Sequence, residues 1–161
     1  MTNRIYLDHA ATTPVIVPAR EAFARGMAGW SNPNSPHAEG RAARALLEEA
    51  REGIKEALGW RHDVIFTSGA SESVEIAGKR ASVAGRAYGA TEHAIVPFAM
   101  GEAATVIPVG CDGLIDAAAL DKVLARGPTL VAIQQVNNET GIVQDLAQLA
   151  LRIRDAGSLL L

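Results

Sequence analysis

One turn of the chain has the residue types of an anion-binding site. Gly69-Ala70-Ser71 lies between an apolar run and a segment with helical spacing, so this turn is predicted to begin a helix. Free N–H groups and the positive end of the dipole at a helix N-terminus favour an anion, and Ser71 adds a hydroxyl. Local sequence alone favours a simpler interpretation, in which Ser68 or Ser71 caps the helix and Gly69 supplies an unusual backbone angle.

Two further segments offer groups that could hold a ligand or move a proton. His93 follows Glu92 near a turn, and its imidazole could stack on a flat ring or exchange a proton near neutral pH. A histidine beside a carboxylate is more often structural. Residues 137–141 follow a predicted strand, and open α/β sheets bind ligands at the C-terminal ends of their strands. A polar turn closed by Gly141 is the alternative.

Other patterns exclude several kinds of site. No nucleotide-binding glycine motif occurs, so a small phosphorylated cofactor is favoured over a nucleotide. The histidines are too scattered for a metal motif, and we predict no metal: they are His9, His37, His62 and His93. Cys111 is the single cysteine and cannot form an internal disulfide, which fits a reducing, cytoplasmic location. The first residues lack the apolar segment of a secretory signal.

Composition predicts a globular domain that binds neither nucleic acid nor a membrane. The chain has 161 residues, of which 48% are apolar and 20% charged, which is ordinary globular usage. The net charge of -3 comes from interspersed residues, without a basic stripe for nucleic acid. No apolar run approaches the roughly 20 residues that a membrane helix needs.

Short β-rich runs alternate with segments of helical period, which predicts an α/β fold with parallel strands. The longest helix is predicted over residues 37–58, ended by Gly59. A buried strand is predicted over residues 63–67, directly before the Gly69 turn. The remaining predictions are helices near 71–83, 116–126 and 144–155, and strands over 104–109, 129–136 and 158–161.

In their order along the chain, these segments resemble the motifs of the cysteine desulfurases, the NifS/IscS-like enzymes of the class V aminotransferase group. The matching segments are 6–14 (YLDHAATTP), 31–37 (SNPNSPH), 66–73 (FTSGASES), 91–94 (TEHA) and 136–141 (VNNETG). The resemblance implies a fold-type-I pyridoxal-phosphate enzyme, usually a homodimer, with a three-layer, mostly parallel large domain. It further implies that residues 1–14 contribute to a small domain and that 15–161 form an incomplete cofactor-binding large domain.

The resemblance also implies an activity and site residues. Such enzymes convert L-cysteine to L-alanine and pass the sulfur as a persulfide to an acceptor, such as an iron-sulfur scaffold protein. The matching positions place Gly69, Ala70 and Ser71 at the phosphate of pyridoxal 5'-phosphate. They place His93 on the pyridine ring, where it could assist proton transfer, and Asn138 near the phenolic oxygen.

Other family residues have no counterpart in the sequence. The chain stops just before the aspartate that pairs with the pyridine nitrogen, and the Schiff-base lysine and persulfide cysteine lie further on in the family. We therefore expect an N-terminal portion, either truncated or completed by a second polypeptide, that is inactive alone. The three lysines, Lys55, Lys79 and Lys122, are predicted to lie on solvated helix faces.

Two alternatives stay open. One is a degenerate, non-catalytic relative that keeps a dimerisation or binding surface. The other is a different class V enzyme, such as a selenocysteine lyase or an aminotransferase. Val74-Glu75, which replaces an Asn-Asn or Asp-Asn pair of the family, has no explanation from sequence.

Overall fold

The computed structural model describes residues 5–161, which divide into two compact units with the boundary between Phe66 and Thr67. Residues 1–4 of the predicted N-terminal segment 1–14 lie outside the described residues. The domain boundary expected after residue 14 stays a prediction.

The first unit contains two helices, α1 (Val17–Ala28) and α2 (Ala38–Leu58). A proline in its first turn begins α1, where the missing N–H costs nothing, although sequence patterning did not predict this helix. The predicted helix over 37–58 is confirmed as α2. His37 caps α2 by accepting a hydrogen bond from the Gly40 N–H at 3.3 Å, and Gly59 ends it in the left-handed region at φ 61°.

A close contact holds the loop of residues 31–37 on the first turn of α2. The Ser35 N–H donates to the Asn32 carbonyl at 3.0 Å, which folds the loop back. Gly40 is buried beneath it, and a Cβ there would lie 2.4 Å from the Ser35 carbonyl oxygen and 2.8 Å from that of Asn32. Since both atoms belong to the backbone, a larger residue would have to displace the loop.

This contact predicts opposite effects for one substitution at two places in α2. Gly40→Ala should destabilise the first unit by about 1–3 kcal/mol, because the methyl overlaps backbone atoms. Gly53→Ala should stabilise it by about 0.5–1 kcal/mol, because nothing lies within 4 Å and alanine favours a helix. Chemical denaturation followed by helical circular dichroism measures both changes. Equal changes in stability for the two variants would contradict the close packing of the 31–37 loop on Gly40.

The second unit is a four-stranded parallel sheet with strand order β2-β1-β3-β4 and helices between the strands. This confirms the predicted α/β class. In chain order its elements are α3 (Ala70–Arg80), β1 (Gly85–Gly89), α4 (Ile95–Met100), β2 (Thr105–Ile107), α5 (Ala117–Leu124), β3 (Thr129–Ala132), α6 (Leu146–Asp155) and β4 (Leu159–Leu160).

Helices cover both faces of this sheet because successive strand residues point to opposite sides. On one face, Ala87 and Val131 pack with residues of α5 and α6. On the other face, Leu130 and Ala132 pack with residues of α3 and α4. The result is the expected three-layer arrangement. No helix within residues 5–161 is long and apolar enough to cross a membrane.

The strand predicted over residues 63–67 is wrong. No strand within residues 5–161 pairs with this segment, and Ile65 and Phe66 are 67% and 47% exposed rather than buried. An apolar, β-branched run forms a strand only when a neighbouring strand accepts its hydrogen bonds. Three elements that sequence patterning did not predict are present: α1, β1 and α4.

The N-terminus of α3 lies at the C-terminal edge of the sheet. The Arg86 guanidinium donates to the Gly78 carbonyl at 2.6 Å and to the Ala81 carbonyl at 3.3 Å, so the end of α3 sits beside the start of β1. Because the helix then runs antiparallel to β1, its first turn is near the edge where β1 ends. The segments after β1 and β3 leave the sheet at this same edge.

Candidate functional site

The turn of residues 69–71, called here the phosphate turn, has unused hydrogen-bond donors. Gly69 is extended and α3 begins at Ala70. Ala70 and Ser71 occupy the first two helical positions, so their N–H groups have no acceptor inside the helix. All three residues are exposed, and a Cβ on Gly69 would meet nothing within 4 Å. An anion could therefore approach these N–H groups.

Neighbouring side chains hold the phosphate turn in shape. The Thr67 hydroxyl donates to the Gly69 carbonyl at 3.1 Å and lies 2.8 Å from the Ser73 hydroxyl. The Ser68 N–H donates to the Glu72 carboxylate at 2.5 Å. Hydrogen bonds from the backbone and side chain of Ser68 lower the pKa of Glu72, which keeps it ionised. Glu72 thus uses the N–H that precedes the turn and leaves the later ones free.

A cleft of ≈ 470 Å³ lies at the C-terminal ends of β1 and β3. His93 and Asn138, both predicted as site residues, line this cleft, which is within the usual size range of ligand pockets. The phosphate turn is not part of its lining. The cleft is formed by two segments, 90–94 and 137–140.

His93 presents one free ring nitrogen. Its Nδ1 accepts a hydrogen bond from the Ile95 N–H at 3.2 Å, so the neutral ring carries its proton on Nε2. The side chain is exposed. The Nε2–H is therefore the group that could exchange a proton with a ligand, and the ring offers a flat surface.

Three hydrogen bonds join the first segment of the cleft to the residues that follow β3. The Gln134 backbone N–H donates to Oε1 of Glu92 at 2.5 Å, and the Gln134 side chain donates to the Thr91 carbonyl at 2.6 Å. The Asn137 side-chain amide donates to the same carbonyl at 3.0 Å. The sequence alone did not predict these three contacts.

Asn137 and Asn138 differ in their surroundings although they are adjacent. Asn137 is only 8% exposed, and its Oδ1 accepts from the N–H groups of Glu139 and Thr140 at 3.0 and 2.8 Å. Asn138 is exposed, and its side chain forms no hydrogen bond among the described residues. Asn137 is thus built into the fold, whereas the carboxamide of Asn138 remains available to a ligand.

Burial raises the pKa of Glu92, whose side chain is half-buried at the base of the His93 segment. Hydrogen bonds from the backbone N–H groups of Gln134 and His93 lower the pKa, but less than burial raises it. The folded protein therefore holds a proton on Glu92 more readily than the unfolded chain does.

This shift predicts a pH-dependent effect of Glu92→Gln. The pKa of Glu92 is higher in the folded protein than in the unfolded chain. Glu92 therefore lowers the free energy of unfolding as the pH rises from the ordinary pKa of a glutamate through the raised pKa. Glutamine keeps an acceptor for the Gln134 N–H but does not ionise. The free energy of unfolding of the variant, relative to the unsubstituted protein, should therefore rise between pH 4 and pH 7. Urea denaturation at both pH values tests this, and a difference that stays constant would contradict it.

Two larger grooves lie elsewhere. One, of ≈ 560 Å³, runs beside α6. The other, of ≈ 510 Å³, lies between α1 and α2 and has an apolar lining that includes Phe23, Met27 and Trp30. Neither contains a predicted site residue. The groove between α1 and α2 also lacks the converging polar groups that fix a ligand's orientation.

None of the lysines, nor the cysteine, lines the cleft. Lys55 pairs with Glu52 at 2.9 Å, Lys79 pairs with Glu75, and Lys122 is exposed on α5. Cys111 is exposed in the turn between Val109 and Ile115. Among residues 5–161, no three potential metal-binding side chains come together.

The structure gives each residue of Val74-Glu75 a structural contact. Val74 packs against the apolar cluster formed by Val96 and Leu130, on the α3 side of the sheet. Glu75 forms an ion pair with Lys79 one turn further along the helix. One residue thus contributes to the core and the other to the helix surface.

Comparison with known proteins identifies the family. A model of the aminotransferase class-V family matches residues 5–161. Together with the parallel sheet and the cleft at its C-terminal edge, this match shows that the chain belongs to the class-V aminotransferase family. Within it, the chain is similar to the N-terminal portion of cysteine desulfurases.

Three relatives illustrate this similarity. The chain is 34% identical to the cysteine desulfurase IscS of Dictyoglomus turgidum, over 93% of this chain and 42% of the relative. It is 36% identical to the IscS-like cysteine desulfurase of Mycobacterium tuberculosis, over 94% and 44%. It is 30% identical to the selenocysteine lyase of Homo sapiens, over 94% and 42%. The chain therefore spans less than half the length of these relatives.

Solved structures show the same fold. A NifS-like protein from Rickettsia africae matches with a TM-score of 0.87 and 32% identity, over 97% of this chain and 46% of the other. The protein SspA, solved in complex with cysteine, matches with a TM-score of 0.78 and 28% identity, over 96% and 49%. These likenesses include both units of the chain.

Proposed function

We propose that the protein binds pyridoxal 5'-phosphate through the phosphate turn, His93 and Asn138, and serves a cysteine desulfurase reaction. The observation that carries this proposal is that His93 and Asn138, far apart in sequence, line one cleft at the sheet edge where α3 begins. The described residues fit the cofactor's parts, an anion and a flat ring.

The chain's own groups would bind the cofactor at two places. The N–H groups of Ala70 and Ser71, with the Ser71 hydroxyl, would donate to the phosphate, where the α3 dipole also favours negative charge. His93 would lie against the pyridine ring, and Asn138 would donate its amide to the phenolic oxygen. When bound, the cofactor supplies an electron sink for the carbon that carries the substrate amino group.

We propose L-cysteine as the substrate, converted to L-alanine with the sulfur passed as a persulfide to an acceptor protein, such as an iron-sulfur scaffold. The names of the relatives and the cysteine complex of SspA support this choice. A homodimer is the assembly that the resemblance favours. A selenocysteine lyase is a second candidate, favoured by the 30% identity to the human enzyme.

A matched pair of serine variants tests the phosphate contact. Ser71→Ala should weaken binding of 4-deoxypyridoxine 5'-phosphate by roughly 10- to 100-fold, because a hydrogen bond to a charged group contributes about 1.5–3 kcal/mol. This probe lacks the aldehyde, so surface lysines cannot capture it. Ser82→Ala, beyond the other end of α3, makes the same chemical change and should leave affinity unchanged. Fluorescence titration measures both, and equal affinities for the two variants would contradict the assignment.

We further propose that the 161-residue chain alone does not release sulfur from cysteine. The cleft lining contains neither an amine that could bond to the cofactor nor a thiol that could accept sulfur. With pyridoxal 5'-phosphate, cysteine and a reductant present, sulfide production should equal that of a blank without protein. Sulfide release above that of bovine serum albumin, a control with many surface lysines, would refute the proposal.

A further inference from the structure

We propose that Glu92, Gln134 and Asn137 form a clamp that sets the spacing between His93 and Asn138 and so controls how the cleft holds a flat ring. This inference rests on the proposed binding of pyridoxal 5'-phosphate and assigns positioning residues to that site.

The clamp closes on the carbonyl of Thr91. That oxygen accepts the side-chain amides of both Gln134, at 2.6 Å, and Asn137, at 3.0 Å. One residue further on, the Glu92 carboxylate accepts the Gln134 backbone N–H at 2.5 Å. These bonds join residues 43, 46 and 42 positions apart. They connect the end of β3 to the turn after β1.

The clamp residues are the chain neighbours of the groups that would contact the ring. Glu92 precedes His93, and Asn137 precedes Asn138. Both ring-contacting side chains are exposed, so core packing does not fix them. Their relative position therefore depends on the bonds that hold the two segments together, and a displacement of about 1 Å is enough to spoil a binding geometry.

Asn137 anchors its segment internally as well. Its Oδ1 accepts from the N–H groups of Glu139 and Thr140 and from the Thr140 hydroxyl at 3.0 Å, and its own N–H donates to the Ile142 carbonyl at 2.9 Å. The same side chain thus shapes the turn that carries Asn138 and ties it to Thr91. Glycine closes this turn, with Gly141 at φ 72°.

The clamp lies outside the apolar core of the sheet. None of its three residues belongs to either apolar cluster of the sheet. A purely structural role would make all ligands bind less well as the protein unfolds. A positioning role should weaken contacts to the ring while leaving the phosphate turn unaffected.

The test compares three ligands: 4-deoxypyridoxine 5'-phosphate, 4-deoxypyridoxine without the phosphate, and inorganic phosphate. Glu92→Ala and Asn137→Ala should each weaken both ring ligands at least tenfold and change affinity for inorganic phosphate less than twofold. Ser71→Ala should show the complementary pattern, in which phosphate and the phosphorylated ring bind less well but 4-deoxypyridoxine does not.

Two milder variants separate a specific loss of ring binding from a general loss of folding. Glu92→Gln keeps an oxygen acceptor for the Gln134 N–H and should restore near-normal ring binding. Gln134→Leu removes only one of the two donors to the Thr91 carbonyl and should cause a smaller loss than Asn137→Ala. NMR titration measures all the affinities. When a ring ligand binds, the His93 imidazole signals should shift in the unsubstituted protein and shift less in Glu92→Ala.

The outcomes distinguish the two proposals. If the unsubstituted protein binds the ring ligands and folded clamp variants bind them equally well, the clamp is refuted and the proposed function stands. Parallel losses for ring ligands and inorganic phosphate would also refute it, because they indicate a structural role. If the unsubstituted protein binds no ring ligand, both proposals fail.

Discussion

The pairing of β1 with β3 is the constraint on which the site depends. The two strands are parallel and in register from Gly85 opposite Thr129 to Tyr88 opposite Ala132, so both end at one edge of the sheet. Segments that are far apart in sequence therefore leave the sheet side by side. His93 and Asn138 share a cleft for this reason, and the hydrogen bonds to Thr91 refine a proximity that the backbone pairing has already imposed.

Helical periodicity predicted α2, α5 and α6 well because each helix has an apolar stripe and a local end signal. The terminal strand β4 was also recognised. The central strand β1 was not, since Gly-Arg-Ala-Tyr-Gly has little intrinsic β preference and becomes a strand through its neighbours. Residues 63–67 show the converse: their sequence favours a strand, but within the described residues no partner is available.

Part of the candidate site could be predicted because its residues lie in ordered motifs along the chain. His93 and Asn138 were named in this way, as was the turn at Gly69-Ala70-Ser71. The contacts of Gln134 could not be, because an ordinary glutamine just after β3 acquires its role only from a carbonyl 43 positions earlier. The sequence signal that could have helped is the repeated asparagine at 137 and 138, which suggests different tasks for two identical side chains.

Glu72 adds a selectivity to the phosphate turn. Its carboxylate lies in the first turn of α3 and is held ionised by Ser68. A ligand that brings two negative charges meets repulsion from this fixed charge as well as attraction from the helix dipole. The attraction that the turn offers an anion therefore depends on the direction of its free N–H groups as well as on charge, because one negative charge already lies beside them.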